Sequence, residues 1–396
     1  MNAETDMPTM PFAVQEYRQR LDRVRRRMAD ASIDALVLSD PCNIYYLTGY
    51  DGWSFYTPQV VIVFHDRDPV WLGRAMDVTG VNMLAWMNPD CVISYPDHLV
   101  QSSDGHPYQQ LAAFLKDSLP ANARIGVEKQ NYYLTVDAYE LLLSLCESMT
   151  LCDASLMVNW VRFVKSPAEL EVMQQAAMLL DRSMEAAFEV AEPGVRESDI
   201  AAAIYAANCK GDGEIGGVYT SSPAFILPGE RTATPHLSWS DQRIAKDSAL
   251  NLELMGNRLR YQVTMARTVY FGTPPDALRW LESIVLEGIQ ETLAFIRPGV
   301  SCEEVEGVWR RAIARHGISK ESRCGYSLGI TYPPTGGELT ASLRPGDKTV
   351  LEQGVVMHFL PALWDKELSL TISEPVRVTA TGCERLSAIP TQLIVK

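Results

Sequence analysis

Apolar residues recur at helical spacing over residues 13–31, where Val14, Tyr17, Leu21, Val24 and Met28 form one stripe on a charged segment. That pattern predicts a surface helix. The stripe runs into IDALVLSD, a short β-branched apolar run closed by Asp40 and Pro41, and VVIVFH and PVWLG repeat the strand signal. IGVEKQNYYLTVDAYELLLSLC adds a further strand and helix. The alternation predicts an α/β first domain.

A longer helical pattern follows. Ser166 is placed as an N-cap, Pro167 suits the first helical position, and Glu169 completes a capping box. Apolar positions then continue from Leu170 through Val190 until Pro193 and Gly194 stop them, predicting a helix over 167–191. A second long pattern covers 277–296, and each is followed by Pro-Gly-Val, at 193–195 and 298–300, and then by another helix. This recurrence suggests an internal duplication around a shared sheet, with a period too long for a solenoid. The boundary is expected near residue 157, giving domains of residues 1–156 and 157–396. Length supports the division, because single cores stop growing near roughly 250 to 300 residues.

Charge narrows the partners. The formal net charge is −14, from 49 acidic and 35 basic residues, so the average surface repels phosphate. No basic patch offsets this, and no nucleic-acid partner is expected. The eight cysteines form no CxxC pair or finger-like spacing, which argues against a zinc module or disulfide framework and for buried thiols. The polar N-terminus lacks an apolar leader, and no run approaches the roughly 20 apolar residues that span a bilayer. A cytoplasmic protein without a membrane partner is expected.

NIYYLTGY, VRFVKSPAEL, LNLELMGNRLRYQVTMARTVYFG, CGYSLGITYPP, TVLEQGVVMHFLPALW and ISEPVRVTATGCERL, in this order, resemble the creatinase, prolidase and methionine aminopeptidase family. The likeness covers nearly the whole chain. It implies a small mixed α/β N-terminal creatinase-like domain, a C-terminal pita-bread fold with the site between two pseudo-symmetric halves, and a homodimer.

The family's metal-dependent members hold a pair of divalent ions with two aspartates, a histidine and two glutamates. Aligned on Arg267 and Thr268, the two aspartate positions are Glu253 and Thr264; the histidine position is Tyr326, and the glutamate positions are Leu360 and Glu374. Leucine cannot ligate a metal, and neutral tyrosine and threonine are poor substitutes for imidazole and carboxylate. The resemblance therefore implies no metal and no other cofactor, as in creatinase.

His236, in TATPHLSW, matches the family histidine that handles protons near the scissile bond. Glu253 and Glu374 are expected to converge on the former metal pocket, making a negative site that needs a cation, a proton or both. An arginine partner for Glu253, such as Arg267, is the structural alternative. Trp53 and Tyr56, in LTGYDGWSFYTPQ, offer aromatic faces for an amidinium, although packing is the plainer role for them. Thr264 and Tyr326 are further candidates for substrate contact.

Together with PHLSW, ELMG and GYSLGITYPP, these segments resemble family members that open a cyclic amidine. The resemblance implies catalytic roles for Glu253, His236 and Glu374, with attack by Glu253 or by His236-activated water left open; a creatinase-like hydrolase of another small cationic nitrogen compound, a prolidase-like peptidase and a non-catalytic pita-bread binding module are the competing readings. A product passed to a separate deacetylase follows from that reading. His358 stands two residues before the lost ligand position at Leu360, with no clear role.

Overall fold

Six strands form the sheet of the first unit: β1 (Ala35–Leu38), β2 (Val60–Phe64), β3 (Val70–Arg74), β4 (Val92–Tyr95), β5 (Arg124–Val127) and β6 (Thr150–Asp153), in spatial order β4-β3-β2-β1-β5-β6. In this computed structural model, which describes residues 10–364 and 368–396, β1 runs antiparallel to β2 and parallel to β5. Every residue of VVIVF is buried, as its continuous apolar run requires in a central strand.

The first unit also holds α1 (Val14–Asp30), α2 (Pro41–Thr48), α3 (Val78–Leu84), α4 (Tyr108–Ser118), α5 (Val136–Leu145) and α6 (Met157–Val161). On α1 the stripe from Tyr17 to Met28 is buried as its spacing predicts, and so is Arg20, whose guanidinium lies 4.2 Å from the centre of the Phe12 ring. Asp40, read as a strand terminator, is also a helix cap, accepting a 2.9 Å hydrogen bond from the Cys42 amide.

The two compact units divide between Arg162 and Phe163. The sequence pattern puts the change near 157, but α6 packs against α1 and so stays with the first unit.

The second unit opens with α7 (Pro167–Val190), whose capping box joins Ser166 and Glu169, and continues with α8 (Glu197–Lys210). The same pairing returns as α9 (Asp276–Phe295) and α10 (Cys302–Ala314). Both Pro-Gly-Val stops use a left-handed glycine, Gly194 at φ +94° and Gly299 at φ +89°. Each glycine amide donates across to a later segment, Gly194 to Ile244 O at 2.8 Å and Gly299 to Leu351 O at 2.9 Å. The duplication read from the sequence is thus repeated in the hydrogen bonding.

Each helix pair accompanies a four-stranded sheet. One contains β7 (Phe225–Pro228), β8 (Ala249–Arg258), β9 (Tyr261–Tyr270) and β14 (Ile394–Val395), in order β14-β9-β8-β7. The other contains β10 (Gly325–Ser327), β11 (Val356–Phe359), β12 (Glu374–Val378) and β13 (Cys383–Arg385), in that order. β8 lies close against α7 at Gly256, where a Cβ would stand 2.1 Å from Ala176 O. Only glycine permits that approach, and it fixes the depth of the strand carrying Glu253. Among the described residues, no helix is long and apolar enough to cross a membrane.

Candidate active site

The β8–β9 register pairs Glu253 with Ala266 and Met255 with Thr264, so alternation puts all four side chains on one face. Tyr326 on β10, Leu360 after β11 and Trp364 face this region, and Tyr326, Leu360 and Trp364 pack with Ala266 and Ala362. Glu253, Met255, Tyr326 and Leu360 line a cavity of about 460 Å³ whose wall also includes His236. The structure therefore brings Glu253, His236 and Tyr326 together.

Glu253 is buried, and its carboxyl pKa is pushed up to about 7 by burial alone. No charged neighbour contributes to that shift. Arg267 does not pair with it, contrary to the structural alternative. His236 is exposed at the wall, 5.3 Å between ring centres from Phe225, and partial burial lowers its pKa, favouring the neutral imidazole that accepts protons.

Tyr326 stands at the head of a series of two further groups. Its hydroxyl lies 3.0 Å from Nδ1 of His358, whose Nε2 lies 2.7 Å from Ser373 Oγ. Burial, followed by the Glu253 charge, raises the tyrosine pKa beyond its ordinary range, so the phenol keeps its proton. Burial pushes His358 down to about 3, with Arg323 and Arg267 acting in the same direction. His358 is therefore neutral.

Two expectations need correction. Glu374 does not converge with Glu253: it is fully buried, accepting from Arg267 Nη2 at 2.7 Å, Arg385 Nε at 2.9 Å and Thr391 Oγ1 at 2.6 Å. These donors occupy both carboxylate oxygens, so the expected pair of free carboxylates is a single one. Thr264 does not reach the cavity either. Its longer cross-strand neighbour Met255 lines the wall, and Thr264 Oγ1 is buried without a hydrogen-bond partner among the described residues.

Trp53 and Tyr56 belong to the first unit, where both are exposed. Trp53 packs its ring 4.8 Å from that of Phe55, and the Tyr56 hydroxyl accepts a 3.1 Å hydrogen bond from Arg74.

Sequence reading missed Arg323 and Trp364, which also line the cavity. Arg323 lies over the Tyr326 ring at 4.5 Å and donates to Ser342 Oγ at 2.9 Å. Nothing in SRCGYSLG distinguishes this arginine from a surface cation, because its position depends on the turn into β10.

Residues 171–380 match metallopeptidase family M24, and residues 20–164 match the creatinase/prolidase N-terminal domain. The chain belongs to metallopeptidase family M24. As a member of M24, it is a hydrolase with a creatinase-like first domain and a pita-bread second domain.

Among its relatives, an uncharacterised hydrolase/peptidase of Sinorhizobium fredii is 45% identical over 98% of this chain and 100% of its own length. A protein of Halomonas elongata named ectoine hydrolase is 40% identical over 98% of this chain and 99% of its own length. A prolidase structure from Thermococcus sibiricus matches with a TM-score of 0.85 at 20% identity, covering 97% of this chain and 100% of that one. The prolidase match speaks for the fold alone.

Metal-dependent M24 chemistry does not fit the donor set here. Leu360 offers no donor atom, Thr264 and Tyr326 offer neutral hydroxyls, and the carboxylate of Glu374 is held by two arginines. Among the described residues, no group of three or more His, Cys, Asp or Glu is arranged to hold a metal ion.

Proposed function

We propose that this M24 hydrolase opens the cyclic amidine ring of ectoine without a metal ion. Glu253 carries the reading: a buried carboxyl group lines a small cavity, and no cation contributes to its shifted pKa. Ionising it there is costly unless the substrate brings positive charge. Ectoine does so, since its ring is an amidinium at neutral pH, and the 40% identical relative bears the name ectoine hydrolase. Its carboxylate would find a counter-charge in Arg323 on the same wall.

In this mechanism a Glu253 oxygen bonds to the amidinium carbon, and the former C=N electron pair moves onto nitrogen. One ring nitrogen then takes a proton from solvent and leaves with the C–N electron pair while the lone pair of the other nitrogen forms a C=N bond, opening the ring. His236 removes a proton from water, whose oxygen bonds to the same carbon as the C=N pair returns to nitrogen; the C–O bond to Glu253 then breaks, returning the carboxylate, the added hydroxyl loses its proton to solvent to become the acetamide carbonyl, and His236 passes its proton to the freed amine. The product is an N-acetylated diaminobutyrate, whose acetyl group would require a separate deacetylase for removal. A cytoplasmic homodimer is the proposed assembly.

Incubating purified protein with ectoine, hydroxyectoine, creatine and an Xaa-Pro dipeptide, with and without a chelator, tests the reading by proton NMR. Chelator-insensitive loss of an ectoine compound is expected. Loss of neither ectoine compound overturns it. Dipeptide cleavage abolished by chelation and restored by manganese would establish a metallopeptidase instead.

A further inference from the structure

His358 and Ser373 are both fully buried, yet neither contributes to the proposed chemistry. Ser373 Oγ accepts a 2.7 Å hydrogen bond from the Ala266 amide, the residue paired with Glu253 across β8 and β9. Its own hydroxyl hydrogen needs an acceptor, and among the described residues His358 Nε2, at 2.7 Å, provides it. If Nε2 instead carried the proton, the serine hydrogen would be buried without a partner. The serine therefore makes Nε2 the acceptor. A neutral imidazole has one N–H, so it must then be Nδ1–H, and Tyr326 Oη is the group 3.0 Å from it.

We infer that Ser373 and His358 are positioning residues that lock the Tyr326 hydroxyl as a hydrogen-bond acceptor from His358, leaving its own hydrogen as a fixed donor in the Glu253 cavity. The order is Ala266 N–H to Ser373, Ser373 O–H to His358, His358 Nδ1–H to Tyr326, and Tyr326 O–H to a reacting group. Two pKa directions support it: His358 stays neutral at physiological pH, and the phenol holds its proton in the field of Glu253. Tyr326 then acts as a donor that stabilises charge rather than as an acid that releases its proton. It occupies the family's histidine-ligand position, so a metal-binding place has become a hydrogen-bonding one.

This inference rests on the amidine-hydrolase reading for its catalytic consequence, but the tautomer can be read without substrate. In the full-length protein labelled with ¹⁵N-histidine, long-range ¹H–¹⁵N NMR should show His358 protonated at Nδ1 and bare at Nε2, with the signal identified by its loss in His358→Asn. An Nε2–H tautomer or an imidazolium at pH 7 overturns the inference. In kinetics on ectoine, Ser373→Ala should lower kcat about tenfold with KM little changed. The same substitution in a Tyr326→Phe background should cost almost nothing further, whereas an undiminished loss there marks a merely structural serine and overturns the proposal. His358→Asn, which keeps an N–H near the Nδ1 position, should retain more kcat than His358→Leu; equal loss counts against it. Failure of the wild-type protein to consume either ectoine compound sinks the substrate reading, and the tautomer alone then decides this one.

Discussion

Burial raises the Glu253 carboxyl from its ordinary 4.5 to about 7, so the folded chain keeps a proton between those values that the unfolded chain has released. Stability contributed by this group therefore falls as pH rises through that window and remains lower above it. Glu253→Gln should raise the melting temperature at pH 8, by a gain of about 3 kcal/mol, and change little at pH 4. It should also abolish turnover. In the wild type, the acid limb of kcat/KM should lie near pH 7, whereas that of kcat moves to lower pH because a bound cation favours the carboxylate. Glu374→Gln should behave in the opposite sense, losing about 3–5 kcal/mol because Arg267 is left buried without its counter-charge. Melting curves across pH, with rate profiles on ectoine, separate the two glutamates. Sequence could not separate them, since both stand at former ligand positions. What decides is the register of Arg385 against Val376 on the neighbouring strand, which delivers a second guanidinium to Glu374.

The elements were legible where local chemistry sets them. The stripe on α1, the capping box of α7 and the helix pairs at each Pro-Gly-Val appear as their spacing predicts, because capping and amphipathic burial are properties of neighbouring residues. The cavity was only partly legible, because its walls come from distant turns. Lys165 shows this: its ammonium is buried against Glu338, 2.5 Å away and 173 residues later, and so anchors the loop that supplies Gly337, Leu339 and Thr340 to the wall. Gly256 is the corresponding device on the other side. Gly256→Ala would force β8 away from α7, since the new methyl would meet Ala176 O and the Leu180 amide at 2.1 and 2.4 Å. A loss of several kcal/mol in denaturant unfolding is expected, with kcat falling more than strain remote from Glu253 would cause. Retention of wild-type stability would show that strand and helix separate freely.

Across the whole molecule, a formal charge of −14 favours cationic over anionic ligands at long range, but it does not select one. Selection by a cavity in the second unit has a measurable counterpart in global stability. Ectoine at a hundred times its dissociation constant should stabilise the fold by about 2.7 kcal/mol, seen as a concentration-dependent rise in melting temperature that creatine does not reproduce. The Arg267–Glu374–Arg385 cluster has a longer reach. Restoring glutamate at Leu360 alone would set a second carboxyl group beside Ala266 and Ala362 in the cavity that already holds Glu253, and freeing Glu374 alone would leave the buried Arg267 without its counter-charge. Each single change meets a folding penalty before any ligand set exists, so a two-metal site is reached from this chain only by several changes made together.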